Sequence, residues 1–174
     1  ENGEMKVPDS SGNIIAITGP PGIGKSCLVD GLLQRLTPAL KVAVLAVDPT
    51  SPLSGGALLG DRIRLSVLDD KTKSDSIYVR SVATRSSSGS MPSIVQGLAS
   101  HLLANAFDMV LIETVGAGQS EMRCAAVANR IIVVEGPARG DSVQAEKAGL
   151  LELADLIVVN KADLEGADRV EHRF

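Results

Sequence analysis

The chain has 174 residues, 44% of them hydrophobic, and a formal net charge of −4. That is enough apolar material for one domain with one sizeable core, and the acidic balance speaks against a general nucleic-acid surface, which needs an excess of Lys and Arg. Aromatic residues are only 2% and Trp is absent, which speaks against base-stacking platforms for single strands.

Residues 1–12 are polar and read as a tail or linker, with the domain proper over 13–174. An apolar run at 14–18 predicts a buried strand. It leads into Gly19-Pro20-Pro21-Gly22-Ile23-Gly24-Lys25-Ser26, a full match to the phosphate-binding pattern G-x-x-x-x-G-K-[ST]. Glycines let the backbone curl until consecutive N–H groups point at phosphate, and the following helix adds the partial positive charge of its amino end. Lys25 then reaches the β- and γ-phosphates and the Ser26 hydroxyl ligates Mg²⁺. The nucleotide contacts therefore fall on Gly19, Pro21, Gly22, Ile23, Gly24, Lys25, Ser26 and Cys27. An apolar period of Leu28, Val29, Leu32, Leu33 and Leu36 predicts a helix over 25–36.

Further strands are predicted at 42–47, 76–79, 109–113, 131–135 and 156–160, and further helices at 93–106 and 142–153. The strands are continuous Val/Ile/Leu runs, as expected when helices cover both faces. Strand–helix alternation predicts an α/β fold of the P-loop NTPase kind, a doubly wound, mostly parallel sheet with its ligand at the carboxyl ends of the strands. The long link 48–75, rich in Gly and Pro, and a second loop at 83–92 carrying Arg85, break the pattern of short connections.

Each polar signature follows a strand. Asp48 follows the second. Glu113-Thr114-Val115-Gly116 follows the apolar residues 109–112, where many GTPases carry D-x-x-G, and Gly116 is small enough for its N–H to approach a γ-phosphate. Mg²⁺ takes hard oxygen ligands, so Ser26, Asp48, Asp61 and Glu113 are the metal candidates. Asp is also common in turns and caps, which is the plainer reading of Asp48 and Asp61. Asn160-Lys161-Ala162-Asp163 matches N-K-x-D. An ionised Asp163 accepts the N1–H and N2–H₂ of guanine as a pair, which adenine does not offer. Asn160 is expected to tie this loop to the phosphate region. Ala117, not Gln, follows Gly116. Without a water-orienting Gln there, intrinsic hydrolysis is expected to be slow and completed by a partner; Gln119 lies nearby with no defined direction.

Cys27 and Cys124 do not suggest a disulfide framework, and with His101 and His172 they lack metal-ligand spacing. No apolar stretch reaches the length of a membrane span and no signal peptide is visible, so the expectation is an intracellular domain of the cytoplasm, or of the mitochondrial matrix in a eukaryote.

These blocks, with Val47-Asp48-Pro49-Thr50-Ser51-Pro52 and Gly55 to Arg64, resemble the MeaB/ArgK-type GTPases of the SIMIBI class over about residues 13–166. The resemblance implies a GTPase that assists an adenosylcobalamin-dependent acyl-CoA mutase, most often methylmalonyl-CoA mutase, with GTP turnover gating cofactor loading and protecting the mutase. It carries Lys25, Ser26, Asp48, Asp61 and Glu113 over to phosphate, Mg²⁺ and hydrolysis, Asn160, Lys161 and Asp163 to guanine, and 116–121 to a mobile switch. It departs at Cys27, commonly Thr, and at Pro137-Ala138-Arg139-Gly140-Asp141. Relatives continue past the base-reading motif, so a fragment, or one domain of a mutase fused to its GTPase, is expected; a homodimer of a full-length protein is among the arrangements the resemblance allows. A metallochaperone GTPase shares the nucleotide motifs but calls for a Cys/His set. A small-molecule kinase shares the phosphate loop but has no use for N-K-x-D.

Overall fold

The computed structural model describes residues 13–49, 65–84, 91–114, 123, 125–137 and 151–168. The strands are β1 (Ile14–Thr18), β2 (Val42–Pro49), β3 (Ile77–Thr84), β4 (Met109–Thr114), β5 (Arg130–Glu135) and β6 (Leu156–Val159). The helices are α1 (Lys25–Leu36), a 3₁₀ turn at Ser66–Asp69, α2 (Lys71–Ser74) and α3 (Met91–Ala104). The six strands form one sheet in the order β3-β2-β4-β1-β5-β6, and every pairing is parallel.

Alternation along each strand sends side chains to two cores. Ile14, Ala16, Ala43, Leu45, Val110, Ile112, Ile131 and Val133 pack with Val95 and Ala99 of α3. Ile17, Val42, Val44, Leu111 and Val134 pack with Val29 and Leu33 of α1. Both faces are therefore covered, which is why the strands read as unbroken apolar runs. Burying each Val, Leu or Ile among them contributes roughly 1.5–3 kcal/mol.

The expected doubly wound architecture is present. Helix α1 and β1 have the predicted ends. Strand β3 runs on to Thr84, because Arg80 and Ser81 interrupt the apolar run without interrupting the ladder to β2. Helix α3 lies two residues earlier than predicted, and Ala106, at φ 96°, is out of helical conformation. Asn160 falls just outside β6, although its N–H still reaches Glu135 O at 2.7 Å. Of the helix expected at 142–153, residues 151–152 are helical and 142–150 lie outside the described residues, as does the tail 1–12.

The link 48–75 contains two short helical turns that no periodicity announced. Asp30 of α1 holds the first of them: its carboxylate accepts from Ser66 Oγ at 2.6 Å, Val67 N at 3.0 Å and Gln34 Nε2 at 3.0 Å. Burial raises the Asp30 pKa, but these hydrogen bonds outweigh it together and leave the value lowered. Leu65 and Val67 are buried beneath α1 as a result.

Strand starts are closed by side chains. Asn13 Nδ2 donates to Asp108 O (2.7 Å), Asp108 Oδ2 accepts Lys41 N (2.8 Å), Asn129 Oδ1 accepts Ile14 N (3.1 Å), and Asp155 Oδ2 accepts Ile131 N (2.8 Å). The carboxyl ends of the strands are left for other work.

Candidate nucleotide site

The phosphate loop joins β1 to α1 across the middle of the sheet. Gly24 caps the helix at φ 106°, ψ 23°, a left-handed conformation that glycine adopts without a side-chain penalty. A Cβ there would also strike Asn160 Nδ2. The first turn of α1 carries no acidic residue and the last carries Arg35. Its amino end thus keeps its partial positive charge for an anion.

Lys25 is buried, and its Nζ donates to Gly19 O at 2.8 Å and Pro20 O at 2.9 Å. The ammonium is folded across the loop that a phosphate would fill. Pro21 and Cys27 are exposed, whereas Ile23 anchors the loop in the α1-side core.

One residue on, Ser26 Oγ donates to Glu113 Oε1 at 2.6 Å. Glu113 is 7% exposed, and its Oε2 is a buried oxygen with no hydrogen-bond partner among the described residues. Burial pushes the Glu113 pKa up, while the Ser26 bond and the nearby Lys25 charge pull it down less strongly. An orphaned carboxyl oxygen beside a serine hydroxyl suits a hard cation. The donor set fits Mg²⁺: Ser26 and Glu113 would hold it or its waters.

Below this pair, Thr114 Oγ1 donates to Thr18 Oγ1 at 3.0 Å, both fully buried, and links the strand ends that carry Glu113 and the loop. Sequence alone does not pair these threonines, because a hydroxyl at the end of an apolar run reads as a boundary. Nor does it mark Glu135, a second buried carboxyl group at a strand end.

Strand β2 lies next to β4 with Val47 opposite Thr114, so the Asp48 main chain reaches the same edge one residue later. Asp61, Arg85, Gly116, Ala117, Gln119 and Cys124 lie outside the described residues.

The N-K-x-D segment meets the phosphate loop directly. Asn160 Nδ2 donates to Ile23 O at 2.7 Å and Lys161 Nζ to Gly22 O at 2.8 Å. Lys161 has φ 57° and Asp163 is exposed in the turn that follows. Two motifs separated by 137 residues thus share one cleft edge. Carbonyls at 19, 20, 22 and 23 are each taken by a side-chain donor, a preorganised loop frame.

A candidate GTPase of Pyrococcus horikoshii is 46% identical over 166 residues, covering 94% of this chain and 51% of that protein. The fused isobutyryl-CoA mutase of Geobacillus kaustophilus is 39% identical over 168 residues, covering 95% of this chain and 15% of that protein. The chain spans about half the length of the first curated relatives it matches. Among solved structures, the hydrogenase maturation factor HypB from Archaeoglobus fulgidus has the same fold, with a TM-score of 0.61 and 20% identity over 93% of this chain and 71% of that chain. The family model for the methylmalonyl Co-A mutase-associated GTPase MeaB matches residues 6–174, and the chain belongs to that family.

Proposed function

We propose that the chain binds GTP with Mg²⁺, hydrolyses it slowly to GDP and phosphate, and acts as a chaperone in cofactor loading and protection of an adenosylcobalamin-dependent acyl-CoA mutase. The observation that carries the nucleotide half is the junction of Asn160 and Lys161 with the Ile23 and Gly22 carbonyls, beside the Ser26–Glu113 pair. Loop amides and the amino end of α1 cradle the phosphates, and Lys25 exchanges its loop carbonyls for phosphate oxygens. Ser26 keeps donating its proton to Glu113 Oε1, which leaves both lone pairs of its oxygen open to a cation. When bound, Mg²⁺ neutralises charge on the β- and γ-phosphates. Asp163 accepts the two guanine donors, and Asp48, Asp61 and Gly116 complete the hydrolytic edge.

The family's association with a mutase, and a relative in which a similar segment is part of a fused isobutyryl-CoA mutase, support the partner class. The mutase sits on a separate polypeptide or on the same one. No helix among the described residues is long and apolar enough to cross a membrane; with the cysteine usage, this supports the cytoplasm or the mitochondrial matrix as its compartment.

Titration with GTP, GDP and ATP in Mg²⁺, followed by hydrolysis assays with mutases acting on methylmalonyl-CoA and isobutyryl-CoA, tests both halves. GTP and GDP should bind more tightly than ATP, Asp163→Ala should erase that preference, and one mutase should accelerate a slow basal rate. Equal affinity for ATP sinks the guanine assignment. Absence of both complex and stimulation sinks the mutase assignment alone.

A further inference from the structure

The last three residues at the β5 end each touch a different part of the nucleotide cleft. Val134 O is the atom that a Cβ on Gly19, at the loop entrance, would strike. Glu135 O accepts Asn160 N at 2.7 Å. Gly136 is buried, and a Cβ built on it would come within 2.7 Å of both Asn160 O and Ile23 Cδ1. No motif includes Gly136, and its φ is not in the left-handed region. It is small for a reason of space rather than of conformation.

We propose that Gly136 is a positioning residue for purine selectivity: the volume its side chain would take is where the Asn160 main chain and Ile23 pack together. The two neighbours differ in how they yield. The Ile23 terminal methyl can rotate away. The Asn160 carbonyl cannot, because its residue is fixed on one side by the Glu135 O bond and on the other by Nδ2 donating to Ile23 O at 2.7 Å. An added methyl therefore displaces Asn160, and with it the turn that presents Asp163 three residues on. Phosphate binding, built from the loop amides and Lys25, is disturbed less than base reading. Tight approach of three backbone segments thus sets the distance between the base-reading carboxylate and the phosphate cradle. This inference rests on the GTP reading above and adds a residue to it.

The test is calorimetric titration of Mg·GTP and Mg·tripolyphosphate into the wild type, Gly136→Ala, Ile23→Val and Gly136→Ala/Ile23→Val. Gly97→Ala, on α3 with nothing within 4 Å of its Cβ position, controls for the substitution itself. GTP affinity of Gly136→Ala should fall about tenfold or more, the scale of a weakened hydrogen bond to a charged group, with tripolyphosphate affinity falling clearly less. The Ile23→Val background should not restore the ratio of the two. An equal loss for both ligands, no loss for either, or a ratio restored by Ile23→Val overturns the proposal. If Gly136→Ala fails to fold, the double variant, relieved of one collision and measured against Ile23→Val, carries the same comparison. A wild type that binds tripolyphosphate but not GTP would overturn the GTP reading and this proposal together. A wild type selective for GTP with an unchanged variant overturns this proposal alone.

Discussion

The two ends of the sheet put their polar side chains to different uses. At the amino end, Asn13, Asp108, Asn129 and Asp155 spend their side chains on backbone groups of neighbouring strands. At the carboxyl end, Asn160 and Lys161 grip loop carbonyls, and Glu113 keeps one buried oxygen without a partner among the described residues. A hydrogen bond completed inside the fold adds stability, whereas an uncompleted one is a cost that a ligand can remove. The first end closes its polar groups between neighbouring strands, whereas the second ties two loops together and leaves a buried carboxyl oxygen without a partner among the described residues.

That contrast predicts that binding and stability separate by location. The largest effect should come from Lys25→Ala. Losing a charged donor to two phosphates should cost on the order of a hundredfold in GTP affinity, read by titration, with a far smaller change in the unfolding midpoint without nucleotide. A comparable loss of stability with intact binding would break the comparison.

Glu113 sharpens it through pH. Its folded-state pKa lies above the ordinary carboxylate value, chiefly through burial, so the fold favours the protonated form. The associated stability is present in full below the unfolded-state pKa and is lost as pH rises through the raised folded value. Unfolding free energy without nucleotide or divalent cation should therefore decline across that window, and Glu113→Gln should flatten the slope. Mg²⁺ with nucleotide favours the ionised carboxylate and should oppose the decline. Parallel pH profiles for the two proteins would count against this account.

The smallest effect belongs to Asp155→Ala at the opposite end. Removing the acceptor of Ile131 N should cost about 1 kcal/mol, lowering the midpoint by roughly 2–4 °C, with GTP affinity unchanged. The partly exposed Arg130–Asp155 ion pair, at 3.6 Å, adds little.

Much of this molecule is legible in its sequence, for identifiable reasons. The β1–loop–α1 unit is readable because apolar period, glycine placement and helix onset all agree over a short span. The sheet is readable because both its faces are covered, leaving apolar runs that stand out from their surroundings. The turns at Ser66–Asp69 and Lys71–Ser74 are not, since Leu65 and Val67 show no period and their partner, Asp30, lies 36 residues from Ser66. Nor is the packing around Gly136, because a glycine past a strand looks like a turn residue until a distant backbone is seen against it. The motifs single out the candidate residues for a nucleotide site. What holds them at the right separation depends on contacts between segments that sequence spacing does not display.

The strand order has a consequence for synthesis. β1 and β2 are not neighbours; β4 lies between them and hydrogen-bonds to both. The phosphate loop leaves the ribosome before β4, since Glu113 follows Ser26 by 87 residues, so a nascent chain carries the loop well before the strand that brings Glu113 against Ser26. If β1 paired with β2 in the interval, the slot for β4 would close, and such long-range insertion is where slow and misdirected folding concentrates. A ligand held jointly by Ser26 and Glu113 would therefore select chains whose central strand has already arrived.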